Sequence, residues 1–167
     1  VHDDGSAKYY ASSKKKKELL SNDTSVKVGK FDNGLTYYIH NNTYPKDRLE
    51  LLLVVNTGSV MEDDDQQGLA HFAEHMAFNG TDKDPKQDLV DYLESIGMKF
   101  GPDLNAYTSF DETVYMLQLP VDDPNVVEKG FEILSEWAFN ISFDNEEIAS
   151  TANLNCCGSP IIATVLP

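Results

Sequence analysis

The sequence has few basic residues, few cysteines and no long apolar run, and each shortage excludes a class of protein. Its 13 Lys and Arg residues stand against 28 Asp and Glu residues, which gives a formal net charge of −15. Nucleic acids and anionic membranes are bound through clusters of basic side chains, so neither is expected as a partner. No apolar stretch approaches the roughly 20 residues that a membrane-spanning helix needs, so no membrane span is expected.

The two cysteines lie next to each other, at Cys156 and Cys157. Adjacent cysteines rarely bond each other because disulfide geometry resists it, so free thiols and an oxidised pair both remain open. The segment that holds them, residues 150–167, contains no charged residue, whereas every charged residue of the chain precedes it. Because so abrupt a change in composition indicates a linker or a foreign segment, we predict a polar leader over 1–24, a domain over 25–149 and an aberrant tail over 150–167.

Other familiar chemistries lack their sequence patterns. The glycines form no phosphate-binding loop followed by Lys-Ser or Lys-Thr, which removes support for nucleotide chemistry. Ser59 and Ser109 are not set in a nucleophile elbow. The acidic triplet over residues 63–65 lacks the twelve-residue calcium loop and its closing Glu, so we interpret it as a solvated loop.

The chain has only four histidines, and two of them form a His-x-x-Glu-His motif over residues 71–75. On a helix, His75 lies about 40° round from His71 and one turn along, so both imidazoles can reach one zinc ion at about 2.0–2.1 Å. Glu74 falls on the same side and can take a proton from a metal-bound water. A histidine on a helix is more often packed or solvated than a ligand, so the motif alone leaves both interpretations open.

Periodicity predicts strands flanked by several helices, which gives an α+β or an α/β sandwich. An Asp32-Asn33-Gly34 turn predicts a hairpin. The nearly continuous apolar run over 49–55 is typical of a central strand covered on both faces. The predicted strands are 26–31, 35–40, 49–55, 105–107 and 113–119, and the predicted helices are 68–79, 84–97, 123–139 and a fourth that begins at 143 and is interrupted after 149.

Several separated motifs accompany the two histidines: Gly58-Ser59-Val60-Met61-Glu62, the run 67–81 around the histidines, 92–97, Asn105-Ala106-Tyr107-Thr108, 111–115 and Phe143-Asp144. Their order resembles the bacterial branch of the pitrilysin/insulinase family of zinc metallopeptidases, the inverzincins. The resemblance covers about residues 25 to 149, the N-terminal part of such an enzyme.

The resemblance implies an α+β fold, a two-layer α/β sandwich in which helices pack on a mainly antiparallel sheet. It implies zinc as cofactor, with His71 and His75 as metal ligands and Glu74 as the catalytic base. It also implies that Asn105, Ala106 and Tyr107 lie on an edge strand beside the zinc helix and bind the substrate backbone as an added strand. The alternative for these three residues is an ordinary edge strand whose Tyr packs on a neighbour. The implied partners are a peptide or unfolded protein substrate and a second homologous half or subunit, and the implied compartment is periplasmic or secreted.

The sequence departs from the family where the third zinc ligand is expected. The family has two carboxylates on a downstream helix, and Thr151 and Gly158 stand at their positions. Glu146, Glu147 or a tail cysteine remain as substitutes in principle. We therefore expect this chain to bind zinc weakly and not to cleave peptides as written, and a non-catalytic peptide- or partner-binding member of the same fold remains the alternative.

Overall fold

The structure is a computed structural model that describes residues 23–96, 98 and 104–153. It divides into two compact units, Val1–Pro45 and Lys46–Pro167. In the first unit, strands β1 (Val26–Lys30) and β2 (Thr36–His40) pair antiparallel. Gly34 between them has a φ of 94°, a left-handed conformation that glycine adopts without strain. The hairpin that the sequence predicted is therefore confirmed.

In the described part of the chain, the second unit combines an antiparallel sheet with four helices, which confirms the predicted α+β fold class. The sheet has the strand order β3-β5-β4. The elements are β3 (Arg48–Val55), a short 3₁₀ helix (Ser59–Met61), α1 (Leu69–Asn79), α2 (Lys86–Ser95), β4 (Leu104–Thr108), β5 (Thr113–Pro120), α3 (Pro124–Phe139) and α4 (Asn145–Asn153). Within the described ranges, no helix is long and apolar enough to cross a membrane.

The core lies between the sheet and the helices. Leu117 and Leu119 of β5 are almost fully buried, and Trp137 of α3 stacks near Tyr115 with ring centroids 5.5 Å apart. The indole N–H of Trp137 donates to the Ala77 carbonyl of α1 at 3.0 Å. This bond fixes α3 against the C-terminal half of α1, the helix that carries the histidine pair.

The prediction that strand 49–55 is central and covered on both faces is wrong. In the part of the chain that the structure describes, β3 pairs with β5 only and lies at the edge of the sheet. Leu52 and Val54 are 60% and 50% exposed, whereas β5 pairs on both sides. An apolar run gives the composition of a strand but not the number of layers that cover it, and here the helices pack against one face only.

The predicted interruption of the fourth helix after Ala149 is also wrong, because α4 continues through Asn153. Thr151 is 4% exposed, and its Oγ1 accepts a hydrogen bond from Asn79 Nδ2 of α1 at 2.8 Å. Packing against α1 stabilises this last turn although it carries no charge. The division into leader, domain and tail stays a prediction, since residues 1–22 and 154–167, including both cysteines and Gly158, lie outside the described residues.

Candidate metal centre

Helix α1 brings His71 and His75 together as the sequence predicted. Their Nε2 atoms are 3.1 Å apart and their ring centroids 4.7 Å apart. Two Zn–N bonds of 2.0–2.1 Å at a tetrahedral angle place the two nitrogens about 3.3 Å apart. The observed separation therefore fits two imidazoles that share one zinc ion.

The surroundings of His75 favour the neutral imidazole, the form that binds a metal. Burial lowers the pKa of His75 below its ordinary value of 6.5, and the nearby His71 lowers this pKa further. The charge of Glu74 acts in the opposite direction but does not cancel the two effects. A ligand that is already neutral releases no proton when it binds a metal ion, so less of the binding free energy is lost at neutral pH.

Glu74 is buried between α1 and the sheet and is held by a hydroxyl group. The residue is only 8% exposed, and its Oε2 accepts a hydrogen bond from Thr108 Oγ1 at 2.6 Å. Thr113 Oγ1 lies 3.4 Å from Thr108 Oγ1 and donates to the Thr57 carbonyl at 2.9 Å. One oxygen of the carboxylate is thus fixed by strand β4.

No role for Thr108 is predicted from the sequence, although the residue lies within one of the family motifs. Strand periodicity is the signal that could have revealed its position. Ala106 packs against the core, so Thr108, two residues further along β4, points to the same side and toward α1. Asn105 and Tyr107 alternate with them and point to the opposite side.

The edge of β4 is close to this carboxylate. Among the described residues β4 pairs with β5 alone, which leaves its other edge unpaired. The Ala106 N–H donates to the side-chain Oδ1 of Asn105 at 2.9 Å. The Tyr107 hydroxyl donates to Glu112 Oε1 at 2.8 Å, and this hydrogen bond raises the pKa of the Tyr107 phenol. The structure thus places Asn105, Ala106 and Tyr107 on an edge strand beside the histidine helix, while their role in substrate binding stays a prediction.

A third metal ligand is absent from the described part of the chain. No group of three or more His, Cys, Asp or Glu side chains there is arranged to hold a metal ion. Glu146 and Glu147 lie in the first turn of α4, where their backbone N–H groups donate to the Asp144 carboxylate. Neither glutamate completes the histidine pair.

Comparisons with known proteins point to one protein family. The family model of the insulinase peptidases, family M16, matches residues 37–156. The chain is 47% identical over 121 residues to the probable zinc protease PqqL of Haemophilus influenzae, and this alignment covers 72% of this chain and 13% of that protein. It is 43% identical over 129 residues to the probable zinc protease PqqL of Escherichia coli, and this alignment covers 77% of this chain and 14% of that protein.

Solved structures agree as well. The first half of the periplasmic protease PqqL from E. coli superposes with a TM-score of 0.78 at 41% identity, over 81% of this chain and 29% of that one. A protein described as a predicted insulinase family protease from Yersinia pestis gives a TM-score of 0.70 at 28% identity, over 92% of this chain and 33% of that one. The chain spans only a small part of the length of these relatives. It belongs to the insulinase family of peptidases, family M16.

Proposed function

We propose that this chain carries the metal-binding and proton-transferring part of a zinc-dependent metalloendopeptidase. The observation that carries the proposal is the pair of imidazole nitrogens 3.1 Å apart on one helix, with a buried carboxylate between them in sequence. A structural zinc site has no use for a base, whereas hydrolysis requires one. Both relatives are named probable zinc proteases, and these names support the same reaction class.

His71 and His75 would hold the zinc ion, which supplies Lewis acidity and lowers the pKa of water. Glu74 accepts the proton of the water that attacks the peptide carbonyl, and later donates it to the leaving amine. Thr108 holds Oε2 of this carboxylate, so Oε1 is the oxygen available for the proton transfer. Two oxygens of one side chain thus have separate tasks, orientation and catalysis.

The substrate would bind as an extra strand on the unpaired edge of β4. The backbone groups of Asn105, Ala106 and Tyr107 would form the hydrogen bonds, a mode that reads backbone rather than side chains. The Ala106 N–H is already bound to the Asn105 side chain, so the incoming peptide must take over this donor. A peptide or an unfolded protein can present such an extended segment.

The complete enzyme would need partners that this chain does not contain. The relative of known structure is the first half of a larger protease, which supports a second homologous half or subunit here. With two histidines and no third ligand among the described residues, the chain alone would bind zinc weakly and not cleave peptides. Because that relative is periplasmic, we propose a periplasmic or secreted location.

The lack of a third ligand in the described residues also favours a second candidate, a non-catalytic member of the family that binds peptides on β4. This candidate keeps the edge strand and needs no base. It differs from the first in one measurable respect, because it would bind peptides without cleaving them, and nothing that it does would depend on Glu74.

A chimera would separate these two candidates. Residues 25–149 of this chain would replace the matching segment of E. coli PqqL, which supplies the remaining length. Zinc content, peptide binding and peptide cleavage would be measured. Glu74→Gln in the chimera should keep the zinc and lower cleavage at least about 100-fold, since the base is lost. The matched control is Glu94→Gln, the same substitution at an exposed position of α2, which should change neither.

Retention of most cleavage in the Glu74→Gln chimera would contradict the proposed mechanism. A folded chimera that binds peptides but neither holds zinc nor cleaves would instead support the non-catalytic candidate.

A further inference from the structure

The residues just before the histidine helix form a brace between that helix and strand β4. We use the term brace for residues Gly58 to Glu62. At its first end, the Ser59 N–H donates to the Ser109 carbonyl at 3.1 Å, and the Val60 N–H donates to the Phe110 carbonyl at 2.8 Å. Both carbonyls belong to the residues that directly follow β4. The brace is therefore fixed to the end of the strand on which the substrate is proposed to bind.

The close approach at this end requires glycine. A Cβ atom added to Gly58 would overlap the carbonyl oxygen of Ser109 and lie 2.7 Å from the carbonyl carbon of Phe110. These are backbone atoms, which cannot rotate away as a side chain can. Gly58 is buried, so no solvent gap exists to take up the extra atom.

At its other end, the brace binds the N-terminus of α1 through Glu62. Glu62 Oε2 accepts the Gly68 N–H at 2.7 Å, and Oε1 accepts the Ala70 N–H at 2.8 Å. The cap residue of α1 is Gly68, which has no side chain to cap the helix, and the first turn contains no acidic residue. One carboxylate from the preceding loop therefore satisfies two backbone donors that a helix normally leaves open.

His71 lies in this same first turn, since α1 begins at Leu69. The N-terminus of a helix carries a partial positive charge, about +0.5, which opposes the binding of a divalent cation there. The ionised carboxylate of Glu62 offsets that charge. It also prevents the first turn from fraying, and fraying would change the distance between the two imidazoles.

We propose that Glu62 is a positioning residue of the zinc site, which acts on the metal ion through the first turn of α1. This inference rests on the proposed function, because it assumes that His71 and His75 bind the ion. The competing explanation is that Glu62 is an ordinary helix cap, which adds stability but leaves metal binding unchanged.

The test measures metal binding by the full chain, with cobalt(II) as a spectroscopic probe of the histidine pair. The variant is Glu62→Gln, which keeps the size of the side chain but directs an N–H group at one of the two donors. The matched control is Asp63→Asn. It removes the same charge from the next residue, whose carboxylate has no hydrogen bond or ion pair within the described residues.

Glu62→Gln should weaken cobalt binding about tenfold, as is usual for groups that orient metal ligands, and should alter the visible absorption of the bound ion. Amide hydrogen exchange at Gly68 and Ala70 should accelerate, while the buried Leu117 amide should stay protected. Asp63→Asn should match the parent chain in all three measurements. Glu62→Asp keeps the charge but is too short to reach both amides, so its affinity should be intermediate.

Each outcome is decisive. Equal cobalt affinity and equal spectra in Glu62→Gln and Asp63→Asn would overturn the inference alone, and Glu62 would then be only a cap. Absence of cobalt binding in the parent chain, even with cobalt in large excess, would overturn the proposed function and this inference together. If Glu62→Gln loses protection at Leu117 and is therefore unfolded, the comparison moves to Glu62→Asp, for which parental affinity and spectrum would overturn the proposal.

Discussion

Removing the hydroxyl of Thr108 tests the most direct contact between the edge strand and Glu74, the proposed base. The substitution Thr108→Val keeps the shape of the side chain but deletes the donor that lies 2.6 Å from Glu74 Oε2. A hydrogen bond to a charged group contributes about 1.5–3 kcal/mol. Because Glu74 is only 8% exposed, water replaces the lost donor poorly, and we expect a loss of about 2–3 kcal/mol in the free energy of unfolding.

The assay is urea denaturation of the full chain, followed by circular dichroism, with Thr108→Val introduced both into the parent chain and into the Glu74→Gln variant. A hydrogen bond between neutral groups contributes about 0.5–1.5 kcal/mol, so the cost of Thr108→Val should be smaller after Glu74→Gln, by about 0.5–2.5 kcal/mol. The control is Thr57→Val, because the Thr57 side chain is exposed and its carbonyl survives the change. This control should stay within about 0.5 kcal/mol of the parent.

An equal cost of Thr108→Val in the two backgrounds would refute the reasoning. It would show that the hydroxyl stabilises the strand by itself and does not act on the carboxylate. Thr108→Ser provides a second check, since it keeps the hydroxyl and should retain most of the difference between the two backgrounds.

Two further predictions concern the scaffold. Gly130→Ala should destabilise the chain by about 1–2 kcal/mol in urea denaturation, because the new methyl group would overlap Cδ1 of the fully buried Leu119. As a control, Ser135→Ala at an exposed position of the same helix should be neutral or slightly stabilising. The hydrogen bond from Lys83 lowers the pKa of Glu132 below its ordinary value of 4.5, so the ionised carboxylate stabilises the fold above that pH and loses this effect as the pH falls through the lowered pKa. The difference in urea midpoint between the parent and Glu132→Gln should therefore be present at neutral pH and shrink in acid, and a difference that grows in acid would contradict the assignment.

The features that the sequence predicted well depend on neighbouring residues. The hairpin turn follows from Asn33 and Gly34, whose preference for turn conformations is a property of each residue. The spacing of His71 and His75 follows from helix geometry alone, and the structure places their nitrogens at a distance that fits one ion. A short-range pattern is enough in both cases because the interacting residues are at most one helical turn apart.

The features that it did not predict depend on residues far apart in the chain. Thr108 and Glu74 are in contact although they lie 34 positions apart, and the sequence around either residue does not predict this contact. The end of α4 depends on a contact between Thr151 and Asn79, and the prediction from composition alone therefore placed the end of the helix too early. The position of β3 at the sheet edge follows from the pairing of β5, which an apolar run cannot reveal.

The parts of the proposed site are held together through one short stretch of chain, β4 and the two residues after it. Thr108 holds the carboxylate of Glu74, and the carbonyls of Ser109 and Phe110 hold the brace that leads to the first turn of α1. The free edge of the same strand is where the peptide would bind. Strand β4 and the two residues after it therefore support the proposed metal ligands, the proposed base and the edge where the peptide would bind. A peptide that orders β4 would also order the residues that orient Glu74 and His71. Substrate binding and the geometry of the metal site should for this reason be coupled, although no single residue belongs to both.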